Sequence, residues 1–126
     1  MSQEDFIKKL RIVASRDTSS DPEGWTSNNP LWGHCAVVSL LAQDYFGGDL
    51  IRGALDKHPK YASLLSHFWN SLPEGEVDFT AEQYSDLRFG ELKKEPRDRE
   101  RVLSHPDTQR RYLKLKHRFE NLEHKT

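Results

Sequence analysis

The stretch Asn29-Pro30-Leu31-Trp32-Gly33-His34-Cys35 leads into Ala36-Val37-Val38-Ser39-Leu40-Leu41-Ala42-Gln43-Asp44-Tyr45-Phe46 and stops at Gly47-Gly48. After the Asn-Pro and Trp-Gly dipeptides, the run that follows Cys35 is apolar on most sides of a helix, and Ser39 and Gln43 share one polar edge. This pattern predicts a largely buried helix that begins at Cys35 and ends at the glycine pair. The rest of the chain is expected to pack around it.

Cys35 is the only cysteine of the chain, and it lies at the start of this predicted helix. The unpaired N–H groups and the dipole of a helix N-terminus favour a thiolate. A thiol at this position therefore tends to have a pKa below the usual value of about 8.5. Position alone makes Cys35 a candidate nucleophile. The alternative is a small buried hydrophobe, the more common role of a single cysteine beside an apolar run.

The length and composition fit one small domain. The chain has 126 residues, 35% of them apolar and 31% charged, so its core must come from a few apolar stretches, residues 31–55, 61–72 and 77–89. No apolar run approaches the roughly 20 residues of a membrane span, and the first five residues do not form a secretory leader. With one cysteine and hence no internal disulfide, we expect a soluble, cytoplasmic protein with a reduced thiol.

The net charge is −1, but the charges are unevenly spread along the chain. Residues 1–90 hold 8 basic against 13 acidic side chains, and residues 91–126 hold 11 against 7. We expect the basic C-terminal part and the acidic body to attract each other within the fold or in a homodimer. Nucleic-acid binding is disfavoured, because the basic residues lack interleaved exposed aromatic side chains.

The other segments predict an α+β domain. Residues 3–15 have the spacing of an amphipathic helix, and residues 16–29 have the composition of a long loop. Residues 49–55, 64–70 and 76–79 are strand-like, and a Pro-x-Gly turn joins the last two into a hairpin. A capping box at Thr80 predicts a helical turn with Tyr84 and Leu87 inward, followed by helices at 97–103 and from Pro106 onward. The expected architecture is the central helix packed on a small antiparallel sheet, with terminal helices flanking it.

A thiol can catalyse acyl transfer when a histidine takes its proton and a third group orients that histidine. Of the six histidines, His67 lies within an aromatic strand, and His34 adjoins Cys35 but is expected to point elsewhere. The others, in turns or on the charged C-terminal helix, are expected to be solvated: His58, His105, His117 and His124.

The register of the predicted hairpin decides whether His67 meets an acid. Direct pairing of His67 with Asp78 would make the two side chains neighbours. A tighter loop that pairs Leu72 with Val77 would separate them by several residues. A structural role for this pair is the alternative to a catalytic one.

Several motifs in order resemble one known family. They are Asn-Pro-x-x-Gly-His-Cys-Ala-Val-Val at 29–38, Gln-Asp-Tyr-Phe-Gly-Gly-Asp-Leu at 43–50, Ser-His-Phe-Trp-Asn-x-Leu-Pro-x-Gly at 66–75 and Val-Asp-Phe-Thr-x-x-Gln-Tyr at 77–84. Together with residues 102–108, they resemble the YunG family of small, poorly characterised bacterial proteins.

A second, more remote resemblance concerns chemistry. Cysteine on a helix N-terminus, histidine on a strand and an acid on the next strand is similar to the papain-like and transglutaminase-like cysteine hydrolases. The resemblance implies a papain-like core and a thiol-dependent hydrolase or acyl or amide transferase, with Cys35 as nucleophile, His67 as general base and Asp78 orienting His67. It also implies an oxyanion donor from Asn28 or Asn29, joined by the backbone N–H of Cys35. The chain departs from this group at Ala36, where a papain has tryptophan, and at His34, where related sequences often have glutamine.

The remaining expectations concern the pocket and its occupant. Trp25, Trp32, Trp69 and His34 are candidates for lining it, although such aromatic residues are more often part of a core. We expect no cofactor and no metal, because the ligand types at Cys35, His34, His67 and Asp78 lack CxxC or HxxxH spacing. The substrate would be an amide, an ester or a peptide. The alternative function is a non-enzymatic binding or regulatory protein on the same scaffold.

Overall fold

A computed structural model describes residues 1–55, 57–58, 60–61, 65–84 and 93–124. Within these residues the chain forms four α-helices, α1 (Gln3–Val13), α2 (Cys35–Phe46), α3 (Arg99–Leu103) and α4 (Pro106–His124). It also forms four strands, β1 (Asp49–Ala54), β2 (Ser66–Leu72), β3 (Gly75–Val77) and β4 (Lys94–Arg97), in an antiparallel sheet of order β3-β2-β1-β4. The predicted α+β class is confirmed.

Helix α2 lies at the centre of the core, as predicted. It begins at Cys35, ends at Phe46 and packs on β2 and α4. Its side chains Val37, Leu40 and Leu41 are fully buried, and each such side chain stabilises the fold by roughly 1.5–3 kcal/mol. The Asn70 side chain on β2 donates a hydrogen bond to the carbonyl of Ser39, 3.0 Å away, which fixes the strand against the helix. The start of α2 is therefore held in place from several sides.

The sheet has a strand that the sequence pattern did not predict. Strand β4 pairs antiparallel with β1, with Gly53 opposite Lys94 and Leu50 opposite Arg97. Most of β4 is exposed and it contains Pro96, which a strand tolerates at the edge of a sheet. Its residues lack the alternating apolar pattern of a strand, and their sequence is therefore typical of a loop. The helix predicted at 97–103 correspondingly begins two residues later, at Arg99.

The hairpin is tighter than either predicted register. A two-residue turn places Leu72 opposite Gly75 and Asn70 opposite Val77. Neither the direct pairing of His67 with Asp78 nor that of Leu72 with Val77 is observed. The strands also differ from their predicted bounds, 66–72 instead of 64–70 and 75–77 instead of 76–79.

The remaining predicted elements differ in detail. Helix α1 ends at Val13 instead of residue 15, and a short 3-10 helix, Ala81–Gln83, forms where the helical turn after Thr80 was predicted. Tyr84 is buried as predicted. The predicted inward position of Leu87 lies outside the described residues. Among the helices that the structure describes, none has the length and apolar composition that crossing a membrane requires.

Basic side chains of the C-terminal part contact acidic side chains of the body. Arg118 lies 2.6 Å from the carboxylate of Asp17, and Arg99 lies 2.9 Å from that of Asp44. Lys116 contacts Asp44 as well, at 3.7 Å. The predicted attraction between the two parts therefore takes place within the fold.

The two glycines after α2 allow the cost of backbone strain to be measured separately from the cost of a steric clash. Gly47 and Gly48 have positive φ angles of 74° and 77°, but a Cβ at Gly47 would meet nothing within 4 Å, whereas one at Gly48 would lie 2.3 Å from the carbonyl oxygen of Ser71. We expect Gly47→Ala to cost about 1–3 kcal/mol of unfolding free energy from strain alone. Gly48→Ala should cost roughly 1–3 kcal/mol more than Gly47→Ala, because the backbone at Ser71 must move to make room for the new Cβ. Urea unfolding of both variants measures the difference, and equal losses would contradict it.

Candidate functional site

Cys35 lies beside an open cleft. It is the first residue of α2, is 9% exposed, and lines a cleft of about 650 Å³. Its Sγ lies 3.9 Å from the carbonyl oxygen of Ser66, at the start of β2. The first N–H groups of a helix have no acceptor within the helix and carry the positive end of its dipole. The sulfur is therefore next to both the cleft and a group of unpaired donors.

His67, on β2, is fully buried and forms a short hydrogen bond with an acid. Its Nε2 donates to Oδ2 of Asp78, 2.5 Å away. The ring of Trp69 stacks on the imidazole with centroids 5.6 Å apart, and the ring of Tyr84 meets it edge-on at 4.9 Å. These contacts fix the orientation of the imidazole.

The hydrogen bond to Asp78 leaves Nδ1 of His67 as the free ring nitrogen. This atom is buried and has no hydrogen-bond partner among the residues that the structure describes. Burial acts to lower the pKa of His67, but the hydrogen bond with Asp78 and the interaction with Cys35 outweigh it and raise the pKa to about 9. The imidazole is therefore held in its protonated form near neutral pH, next to the sulfur.

Asp78 reaches His67 by a different route from the one predicted. Strand β3 ends at Val77, so Asp78 follows the strand and is not paired within it. Its Oδ1 accepts hydrogen bonds from the backbone N–H and the hydroxyl of Thr80, at 3.1 and 3.3 Å. This turn directs the other carboxylate oxygen to His67. The two side chains therefore meet although their strand positions are not opposite each other.

Gln83 connects the acid to the turn before Cys35, a role that the sequence pattern did not predict. Its side-chain amide donates to the hydroxyl of Thr80 at 2.8 Å, and its Oε1 accepts from the backbone N–H of Gly33 at 2.9 Å. Gln83 is almost fully buried, so these bonds are not exposed to water. The signal was present in the sequence, because Thr80 and Gln83 are the two residues of the predicted capping box. The structure uses the two side chains to position the site instead of capping a helix.

Three of the predicted pocket residues lie elsewhere. Asn28, Asn29 and Trp32 line a separate cavity of about 450 Å³. The amide of Asn29 donates to the backbone carbonyl of Gln83 at 3.1 Å, and the indole N–H of Trp32 donates to Asp21 at 3.0 Å. The structure does not bring the predicted asparagine donors to the cleft beside Cys35.

His34 and Trp69 are core residues. Nδ1 of His34 donates to the carbonyl of Trp32 at 2.9 Å, and Nε2 lies 2.6 Å from the hydroxyl of Thr18. Burial lowers the pKa of His34 to about 4, so its ring is neutral at pH 7. Trp69 is fully buried, and its indole N–H donates to Glu76 at 2.7 Å. Over the described ranges, no cluster of three or more His, Cys, Asp or Glu side chains is placed to hold a metal ion.

Comparison with known proteins assigns the chain to a family. The model of the YunG protein family matches residues 2–123. The protein named "Uncharacterized protein YunG" from Bacillus subtilis (strain 168) is 37% identical over 75 residues, which are 60% of this chain and 56% of that protein. The match thus spans little more than half the length of this relative, and no solved structure matches the chain. Because the family model covers nearly the whole chain, this protein belongs to the YunG family.

Proposed function

We propose that this protein is a thiol-dependent hydrolase or acyl or amide transferase on a papain-like core. Cys35 is the nucleophile, His67 the acid and base, and Asp78 the residue that orients His67. The observation that carries the proposal is the imidazole of His67, which bonds Asp78 through Nε2 and leaves Nδ1 for the thiol. The contrast with His34 supports it, because both ring nitrogens of that histidine contact protein oxygens.

The reaction follows from this arrangement. The proton of Cys35 resides on Nδ1 of His67, and the thiolate attacks the substrate carbonyl carbon, so that a C–S bond forms. Nδ1 then donates its proton to the departing amine or alcohol as the bond to that group breaks. In the second half, water or an amine attacks the thioester, Nδ1 takes a proton from it, and the thiolate leaves. Hydrolysis and transfer differ only in this second nucleophile.

Two features support stabilisation of the negative oxygen formed during attack. The backbone N–H of Cys35 is at the first position of α2, where helix N–H groups lack internal partners. The helix dipole adds positive potential at the same place. The amide, ester or peptide substrate would enter through the cleft beside Cys35. A single cysteine stays a free thiol in a reducing compartment, which fits the cytoplasm.

One observation favours the alternative of a binding or regulatory protein. Cys35 is nine-tenths buried, as a structural cysteine would be. In that case the polar cluster would serve only to fix the core. The two functions differ in whether the native protein accepts an acyl group on Cys35.

The test is acylation by p-nitrophenyl acetate. We expect a burst of p-nitrophenolate of about one equivalent per chain, with the acetyl group found on Cys35 by mass spectrometry. Cys35→Ser should show no burst, and the urea-unfolded protein should react more slowly than the native protein. Acetylation confined to lysines, or equal rates for native and unfolded protein, would overturn the proposal.

A further inference from the structure

The cleft beside Cys35 carries an excess of positive charge, although the chain as a whole is slightly acidic. Four arginines line it, one from each of β1, β4, α3 and α4, and among the described residues the lining contains a single carboxylate, Glu95. The arginines are Arg52, Arg97, Arg101 and Arg111. The net charge of the whole chain is −1, so the charges are concentrated locally.

The described acidic side chains neutralise only part of this charge. Arg111 is bound to Asp107 at 2.9 Å and donates to the carbonyl of Thr18 at 3.3 Å. The other three arginines share Glu95. Arg97 hydrogen-bonds it and lowers the pKa of this carboxyl, and the charges of Arg52 and Arg101 lower it further. Among the residues that the structure describes, one carboxylate faces three guanidinium groups, so this part of the cleft has a positive surplus.

Two of these arginines have hydrogen-bonding capacity that the described protein groups do not use. Arg101 is exposed on α3. The Nε–H of Arg97 is buried without a hydrogen-bond partner among the described residues. Guanidinium groups bind carboxylates and phosphates through paired N–H donors. An anionic ligand in the cleft could therefore bind the exposed guanidinium group of Arg101.

The rest of the lining is partly apolar and partly polar, and its polar members are Ser20, Ser66, His105 and Thr108. Ala36, Phe68 and Val102 contribute to the walls, and Leu65, which is 65% exposed, lies among the lining residues next to Ser66. Leu65 has a φ of 67°, an uncommon conformation for a residue with a side chain. Such strained positions persist where the surrounding structure holds them. The cleft thus offers an apolar surface for a carbon chain and arginines for its charged end.

We propose that the cleft selects acyl substrates that carry a carboxylate close to the carbonyl attacked by Cys35, such as acidic peptides or dicarboxylic acid derivatives. This inference rests on the proposed thiol chemistry, since it assigns the substrate class of the same site. Local positive potential would raise the concentration of an anionic substrate beside the sulfur and speed its capture. Neutral substrates would react at the rate that Cys35 and His67 set.

The test compares iodoacetate, which is anionic, with iodoacetamide, which is neutral and nearly the same size. Because the imidazolium of His67 also attracts iodoacetate, a variant must isolate the arginines. We expect Arg101→Gln to lower the iodoacetate rate roughly two- to five-fold and to leave the iodoacetamide rate unchanged. The matched control is Arg110→Gln on α4, which pairs with Asp107 and does not line the cleft. It should change neither rate, and high salt should reduce the effect at Arg101.

The two proposals fail in different ways. If iodoacetamide labels native Cys35 but Arg101→Gln leaves the iodoacetate rate unchanged, the substrate class is wrong and the thiol chemistry stands. The substrate class is equally wrong if Arg110→Gln lowers the iodoacetate rate as much as Arg101→Gln does. If neither reagent labels the native protein, the thiol chemistry is overturned, and the substrate class with it.

Discussion

Replacement of His67 by glutamine is expected to slow alkylation of Cys35 by iodoacetamide about 100-fold at pH 6. A thiol with an ordinary pKa near 8.5 is less than about 1% ionised at that pH. In the proposed mechanism the imidazolium of His67 stabilises the thiolate of Cys35 in the native protein, and the variant loses this stabilisation. Glutamine keeps an N–H donor for Asp78 but cannot accept a proton from Cys35. The variant therefore removes the proton-accepting role of His67 and keeps its hydrogen bond to Asp78.

The control for this prediction is the same pair of proteins at pH 10. There the thiol is ionised in both, and the two rates should agree within a few-fold. Urea unfolding should show that His67→Gln is folded under both conditions. Equal rates at pH 6 would mean that His67 does not act on Cys35.

Asp78→Ala is expected to lower the free energy of unfolding by about 3–5 kcal/mol at pH 7, because it removes one partner of a buried ion pair. Both side chains of the pair are almost fully buried, 0% and 4% exposed. The matched control is Glu82→Ala, which removes an ion pair with Arg11 that is partly open to water. That change should cost less than about 1 kcal/mol. Equal losses would show that the buried pair contributes no more than a surface one.

The variant Asp78→Asn tests how the contribution of the pair of His67 and Asp78 to the free energy of unfolding depends on pH. The folded protein holds the pKa of His67 at about 9, above its ordinary 6.5. Protonated His67 therefore stabilises the fold in full below pH 6.5, and this stabilisation is lost as the pH rises through 9. The stability gap between wild type and Asp78→Asn should be largest below pH 6.5 and should shrink towards pH 9. A gap that does not vary with pH would contradict the assigned charge state.

Local sequence signals predicted the helices well and the sheet less well. Helix α2 has the predicted bounds because its apolar run and its glycine stop lie within one continuous segment. The hairpin register depends on turn geometry, and the two-residue turn at Pro73-Glu74 gives a different register from the longer loops that the sequence predicts. Strand β4 was missed because an exposed edge strand containing Pro96 needs no apolar alternation, only a neighbour to pair with.

The residues of the candidate site that could be predicted are those whose side-chain type is typical of a reaction. A single cysteine at a helix N-terminus and a histidine in an aromatic strand led to Cys35 and His67, and the acid expected opposite His67 on the next strand was Asp78. The assignment of Asn28 and Asn29 relied on nearness in sequence, and the structure places both at another cavity. The cleft arginines come from four elements, distant in the chain, so no local motif joins them: Arg52, Arg97, Arg101 and Arg111.

The most direct measurement is the pH dependence of Cys35 alkylation by iodoacetamide, in the native protein and in denaturant. The proposed thiolate and imidazolium pair predicts that Cys35 of the native protein is alkylated faster than Cys35 of the denatured protein at pH 6. It also predicts that the native thiol reacts without unfolding. Labelling that occurs only in denaturant, or native and denatured rates that coincide at pH 6, would contradict the pair and leave Cys35 a structural cysteine.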